Sequence, residues 1–159
     1  MATNYTSGEY YPSGASLRVC RLTLSNGKQF DIKNNVIEVS YFEDLYAFCI
    51  SGYVMVRDGI GLLNLFQISG GEKFELSFDN DNDPNTPTKE FVIYKVGDRN
   101  QTGNMNSEFY KLYFCTKDLL SNEQIKVSKS YKGKKIHEIV ADILGKHLKT
   151  ERKYIQSSS

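Results

Sequence analysis

Several stretches between residues 16 and 116 alternate apolar and polar residues, with the two-residue period of a β-strand. SLRVCRLTL at 16 to 24 opens the series, and Ser25-Asn26-Gly27 supplies a hairpin turn before QFDI at 29 to 32. VIEVSYFE at 36 to 43 sets Val36, Glu38, Ser40 and Phe42 against Ile37, Val39, Tyr41 and Glu43. LYAFCISGYVMVRD at 45 to 58 is apolar almost throughout, which predicts a strand buried on both faces with a bend or bulge at Gly52. KFELSF at 73 to 78 points Phe74, Leu76 and Phe78 inward and Lys73, Glu75 and Ser77 outward. FVIYKV at 91 to 96, EFYKLYFCT at 108 to 116 and EQIKVSKSY at 123 to 131 complete seven or eight predicted strands. Residues 79 to 89 and 97 to 107 read as polar loops.

The period then changes. Ile136, Ile139, Val140, Ile143 and Leu144 recur at 3.6-residue spacing, predicting an amphipathic helix over 133 to 148 with Gly133 as N-cap. Lys146, His147 and Lys149 fall in its last turn, where cations suit the helix dipole. The pattern predicts an α+β fold, mostly antiparallel β, closed as a barrel or sandwich with one C-terminal helix on its flank. Residues 1 to 15 read as a flexible arm, 16 to 150 as a single domain, and 151 to 159 as a polar tail.

Charge adds an asymmetry to this picture. The chain carries +1 overall, but residues 117 to 159 hold ten Lys or Arg against five Asp or Glu, leaving the body at −4. A basic end of this kind is a solvated face or meets an acidic partner. Three widely spaced cysteines and two histidines fit no zinc pattern, and the cysteines read as buried and reduced. The start of the chain lacks a secretory pattern and no apolar run reaches membrane-spanning length, so a cytosol-like setting without membrane insertion is expected.

Candidate chemistry is sparse. Gly59 and Gly61 raise a phosphate loop, but Asn64 stands where a dinucleotide fingerprint needs its third glycine. Asp79, Asp81, Asp83 and Glu90 fall at positions 1, 3, 5 and 12 of a twelve-residue calcium frame, although Pro84 occupies the position that requires glycine. No acid, base and nucleophile share a recognisable context, so no catalytic residue and no cofactor are assigned. Tyr110, Lys111, Tyr113 and Lys117 interleave aromatics with cations; this is a β-core with a wet outer face, since the basic residues do not cluster among these strands, or a small barrel that binds single-stranded nucleic acid or another ligand. The run Leu62, Leu63, Leu65, Phe66 and Ile68 is too apolar for a solvated connection, so it packs under its own sheet or against another subunit. With Lys129, Lys132, Lys134 and Lys135 it forms the set of candidate interface residues.

The order of these signals carries a resemblance. Phe42-Glu43-Asp44, Gly52, Asp58-Gly59-Ile60-Gly61-Leu62, Gln67-Ile68-Ser69-Gly70 and Glu72-Lys73-Phe74, followed by FVIYKVGDR, YKLYFCT and KSYKGKKIHEIVADIL, are similar to baseplate hub proteins of contractile-tailed, T-even-like bacteriophages. The likeness runs over residues 16 to 148; Gln67 departs from it, standing where proline is common. It implies a tail-tube-like β-barrel in a structural virion protein of the tail baseplate, assembled in the host cytoplasm. Copies would form a trimer or a hexameric-type ring joining the tail tube protein to the central spike, with DNA sliding through unbound. Hub proteins continue into further domains, so the chain is expected to be a fragment of one or a smaller relative.

Overall fold

The computed structural model describes residues 16–47, 49–79, 86–101 and 107–149. Among these residues seven strands carry the fold: β1 (Ser16–Thr23), β2 (Gln29–Asp31), β3 (Val36–Phe42), β4 (Ser51–Asp58), β5 (Lys73–Asp79), β6 (Lys89–Gln101) and β7 (Glu108–Cys115). They form one antiparallel sheet in the order β2-β1-β5-β6-β7-β4-β3. Three short helices, α1 (Leu62–Phe66), α2 (Lys117–Gln124) and α3 (Ile136–Asp142), join a 3-10 turn (Lys33–Asn35) and a π-helical turn (Ile143–Leu148). The fold is thus mostly antiparallel β with a few helices, and the sheet is open, since no ladder joins β2 to β3. The arm at 1 to 15, the tail at 151 to 159, Asp81 and Asp83 lie outside the described residues.

The sheet curls strongly. Neighbouring strands lie about 4.8 Å apart, so four steps from β3 to β5 span roughly 19 Å in a flat sheet. Yet the Tyr41 ring of β3 lies 6.1 Å from Phe78 of β5 and 6.2 Å from Phe91 of β6. The short link between β2 and β3 also touches both ends of the sheet. Ile32 donates its amide to the Cys20 carbonyl in β1, and the Asn35 side chain donates to the Arg57 carbonyl in β4.

Inside the curl, every second residue of the central strands is buried: Cys20, Leu22, Val54, Val56, Phe74, Leu76, Tyr110, Leu112 and Phe114. Phe74, Phe91 and Phe114 stack with ring centroids 4.9 to 6.5 Å apart. All three cysteines are free, and burial pushes the thiols of Cys20 and Cys115 up to about 12 and about 11. The first hairpin forms at Asn-Gly as expected: Gly27, at φ 78°, closes a turn in which its amide donates to the Leu24 carbonyl.

Four expectations change. The apolar run at 45 to 58 is a strand only from Ser51, where it alternates between buried and half-buried positions instead of being buried on both faces. Asp44 breaks it: its carboxylate accepts from the Tyr46 amide at 2.8 Å and its carbonyl from the Ala47 amide at 3.2 Å, fixing a turn. Gly52 marks no bend; it pairs in register with Tyr41 on one side and Phe114 on the other. The loop predicted to begin at residue 97 is instead strand β6 as far as Gln101, with register shifts between Ile93 and Lys95 and between Gly97 and Asn100. Ser77, expected outside, is buried because the Arg18 guanidinium folds over it and donates to its hydroxyl at 2.8 Å.

The C-terminal end also differs. Residues 123 to 131 form no strand; α2 covers 117 to 124, with extended Thr116 accepting from the Leu119 amide at its start. Lys135, not Gly133, is the N-cap of α3, and its amide donates to the Glu138 carboxylate at 3.1 Å. α3 and its π-helical turn contact each other and α2 more than the sheet. The expected flanking helix therefore keeps much of its apolar stripe in water, and Ile136 is 81% exposed.

Candidate assembly surface

The glycine loop between β4 and β5 is closed to outside anions. The buried Asp58 carboxylate accepts from the amides of Ile60, Gly61 and Leu62 at 3.0, 2.8 and 2.6 Å, and from the Tyr110 hydroxyl at 3.3 Å. Buried Glu72 accepts from the amides of Ser69 and Gly70 at 3.0 Å. Gly61, Gly70 and Gly71 take positive φ, as these turns require. Backbone amides gathered in this way form an anion nest, and here the chain fills it with its own carboxylates. Sequence spacing found the glycines; Asp58 and Glu72 at either end were the signal of what they do.

The apolar run in that loop turns inward. Leu62, Leu63 and Ile68 join the core, and Phe66 packs on Phe30 with centroids 3.6 Å apart. Leu65 alone of the five faces solvent, at 62% exposed. Four of these candidate interface residues therefore serve their own domain.

The calcium frame is spread out. Asp79 pairs with Arg18 at 3.3 Å, and Glu90 with Lys73 at 2.5 Å. Glu90 stands opposite Glu75, four residues from Asp79 along β5, or about 13 Å. Among the described residues no three ligating side chains come together.

Outward-facing residues of β4, β6 and β7 build an aromatic stripe. Tyr53 pairs directly with Tyr113, centroids 5.8 Å apart, and Tyr94 lies 6.2 Å from Tyr113. Lys111 stands 4.5 Å over the Tyr53 ring and Lys95 5.0 Å over Tyr113. Two acids balance these cations. Asp98 pairs with Lys111 at 3.0 Å and accepts from the Tyr113 hydroxyl, and Glu38 accepts from the Tyr53 hydroxyl at 2.6 Å. The Lys111 ammonium, then the Tyr113 hydroxyl, hold the Asp98 carboxyl below its ordinary value. Tyr110, buried, and Lys117, at the start of α2, lie outside the stripe.

The apolar surface lies elsewhere, along the sheet edge. β3 ends the sheet, and Ile37 and Phe42 on it are more than half exposed. The Asp44 turn then throws out Leu45 and Tyr46, which are 93% and 95% exposed. Acids stand along the same edge: Glu38 on β3, and Glu43 and Asp44 after it, Glu43 paired with Lys89 at 3.0 Å and accepting from the Tyr41 hydroxyl at 2.8 Å. A strand with one edge open and large apolar side chains beside it is a template for another chain. Sequence reading assigned residues 45 and 46 to a buried strand, so it missed them.

The helical end is basic outside and tied at one carboxylate. Lys132, Lys134 and Lys135 are exposed, whereas Lys129 pairs with Asp142 at 2.7 Å. Asp142, the buried residue of α3, also meets Lys146 at 2.6 Å and the Tyr131 hydroxyl at 2.8 Å. Lys129, then Lys146 and Tyr131, hold its carboxyl far below the ordinary 3.8. A carboxyl with a lowered folded pKa stabilises above its unfolded pKa, and that contribution is lost as pH falls through the folded value. The helical end is thus expected to stay tied down to about pH 4 and to loosen only in stronger acid. Carboxyl-carbon NMR titration checks this: the Asp142 midpoint lies below that of an unpaired aspartate, and a midpoint at or above about 3.9 refutes it.

No helix among the described residues is long and apolar enough to cross a membrane. Comparison with family models, with curated proteins and with solved structures finds no match.

Proposed function

We propose that the chain is a structural subunit of a contractile phage tail, a baseplate hub component whose copies form a ring between the tail tube protein and the central spike. The observation that carries the reading is the sheet edge at β3, with Phe42, Leu45 and Tyr46 held in water beside it. Soluble monomers rarely leave such side chains grouped, and a ring of repeated subunits covers them. The curled sheet supports the finer reading as a tube-like barrel left open between β2 and β3. The family resemblance supplies the location, and the acidic body suits a lumen through which DNA slides unbound. No step in this role calls for a catalytic group.

Size-exclusion chromatography with light scattering, followed by negative-stain microscopy, tests the proposal. The expected result is a trimer or larger closed ring; a monomer at every concentration up to the millimolar range overturns it. The alternative, a binding module for single-stranded nucleic acid, draws support from the Tyr53–Tyr113–Tyr94 stripe. The acids beside Lys111 and over the Tyr53 hydroxyl weigh against it, because phosphate binding needs unmatched cations. A monomer whose tyrosine fluorescence is quenched by submicromolar oligothymidylate would favour the alternative.

A further inference from the structure

We infer that the contact between copies is head-to-tail, with the helical end of one copy seated on the β3 edge and Asp44 turn of the next. The inference deepens the ring reading and rests on it. Two surfaces of the chain expose large apolar side chains beside charges that are mostly of one sign. The edge surface presents Phe42, Leu45 and Tyr46 beside Glu38, Glu43 and Asp44, with Lys89 paired to Glu43. The helical surface presents Ile136 and Val140 beside Lys132, Lys134 and Lys135, with Glu138 the acid among them.

The charges decide which surface meets which. Edge against edge would oppose two surfaces of net −2 (Glu38, Glu43 and Asp44 with Lys89), and helix against helix two of net +2 (Lys132, Lys134 and Lys135 with Glu138). Like charges so placed disfavour both self-complementary pairings. Edge against helix matches apolar to apolar and acid to base. The two surfaces differ, so each copy has one of each, and the contact propagates from copy to copy until it closes. The same match accounts for the split between a basic C-terminal segment and an acidic body.

Two variants at exposed positions test the inference without disturbing the core. Lys134→Glu with Ile136→Glu spoils the helical surface; Leu45→Lys with Tyr46→Lys spoils the edge. Far-UV circular dichroism should match the parent in both. Each variant alone is expected to be monomeric by light scattering. Mixed at equal amounts, they should form a dimer and stop there, because only one intact edge and one intact helical surface remain to meet. Parent-sized assemblies from either variant overturn the assigned contact while the ring reading stands. A mixture that stays monomeric overturns the head-to-tail arrangement. A parent chain that never assembles overturns the ring reading and this inference with it.

Discussion

Gly52→Ala is expected to abolish accumulation of soluble, folded protein. A β-carbon built on Gly52 lies 2.1 Å from the Ser40 carbonyl oxygen and 2.6 Å from the Phe114 ring. Neither approach is tolerable, and the first is to backbone, which no rotamer change relieves. Gly52 sits between two ladders, facing Tyr41 on β3 and Phe114 on β7. Moving it from one neighbour drives it into the other. Overpacking in a core costs about 1–3 kcal/mol when side chains give way, and here β3 itself must separate. A loss of at least ~3 kcal/mol takes a large share of a typical stability of roughly 5–15 kcal/mol. The measurement is soluble yield and thermal midpoint beside the parent. A midpoint within about 3 °C, the shift from roughly 1 kcal/mol in a chain of this size, would falsify the argument. Phe114→Ala in the same chain should not rescue it, because the Ser40 carbonyl remains.

Gly52 also shows where the sequence can be read and where it cannot. A glycine inside an apolar run announces a special position, but two explanations fit it, a bend or a close approach. Only the partners distinguish them, and Ser40 and Phe114 lie 12 and 62 positions away. The alternating strands β1, β5 and β7 were legible because each buries one face, and a period of two then follows of necessity. LYAFCI misled because Leu45, Tyr46 and Ala47 are exposed and Cys49 and Ile50 only half-buried; Asp44, a single turn-forming side chain, outweighed the strand propensity that follows it. EQIKVSKSY alternates too, but Val127 stays exposed and no strand lies beside it. The helix at 136 to 148 was legible from its stripe, although the stripe could not say what covers it. The surface proposed for assembly was half visible: the lysines at 132 to 135 stood out as a charge run, whereas Leu45 and Tyr46 looked like core.

The glycine loop teaches a related lesson about local motifs. Gly59 and Gly61 looked like phosphate-loop spacing because the backbone does gather amides there. Asp58 opens that loop, and its carboxylate is the anion those amides hold. A short motif reports the geometry of the backbone; the identity of the bound group depends on side chains around it, here including Tyr110 from β7.

Asp58→Ala is accordingly expected to cost ~3 kcal/mol and to lower the thermal midpoint by about 9 °C. Three amides lose a charged acceptor, and hydrogen bonds to charged groups contribute about 1.5–3 kcal/mol each before water compensates. Ile60 and Gly61 lie near solvent and regain part of that; Leu62 is buried and does not. The loss spreads, because the same amides start α1, whose Leu62 and Leu63 fill the core. Asp58→Asn should also be harmful, since its NH2 replaces one of the two acceptor oxygens and sets a donor against the amides that oxygen served, while the other oxygen loses its charge. Tyr110→Phe removes one 3.3 Å hydrogen bond to Asp58 and should cost only about 1 kcal/mol. The order Ala and Asn well above Tyr110→Phe is the test, and three equal effects would mean that the carboxylate matters only as packing. Formate, small enough to enter the emptied nest, should raise the midpoint of Asp58→Ala and leave the parent unchanged. In the parent those amides are already taken, which is why the loop holds two strands together rather than a phosphate.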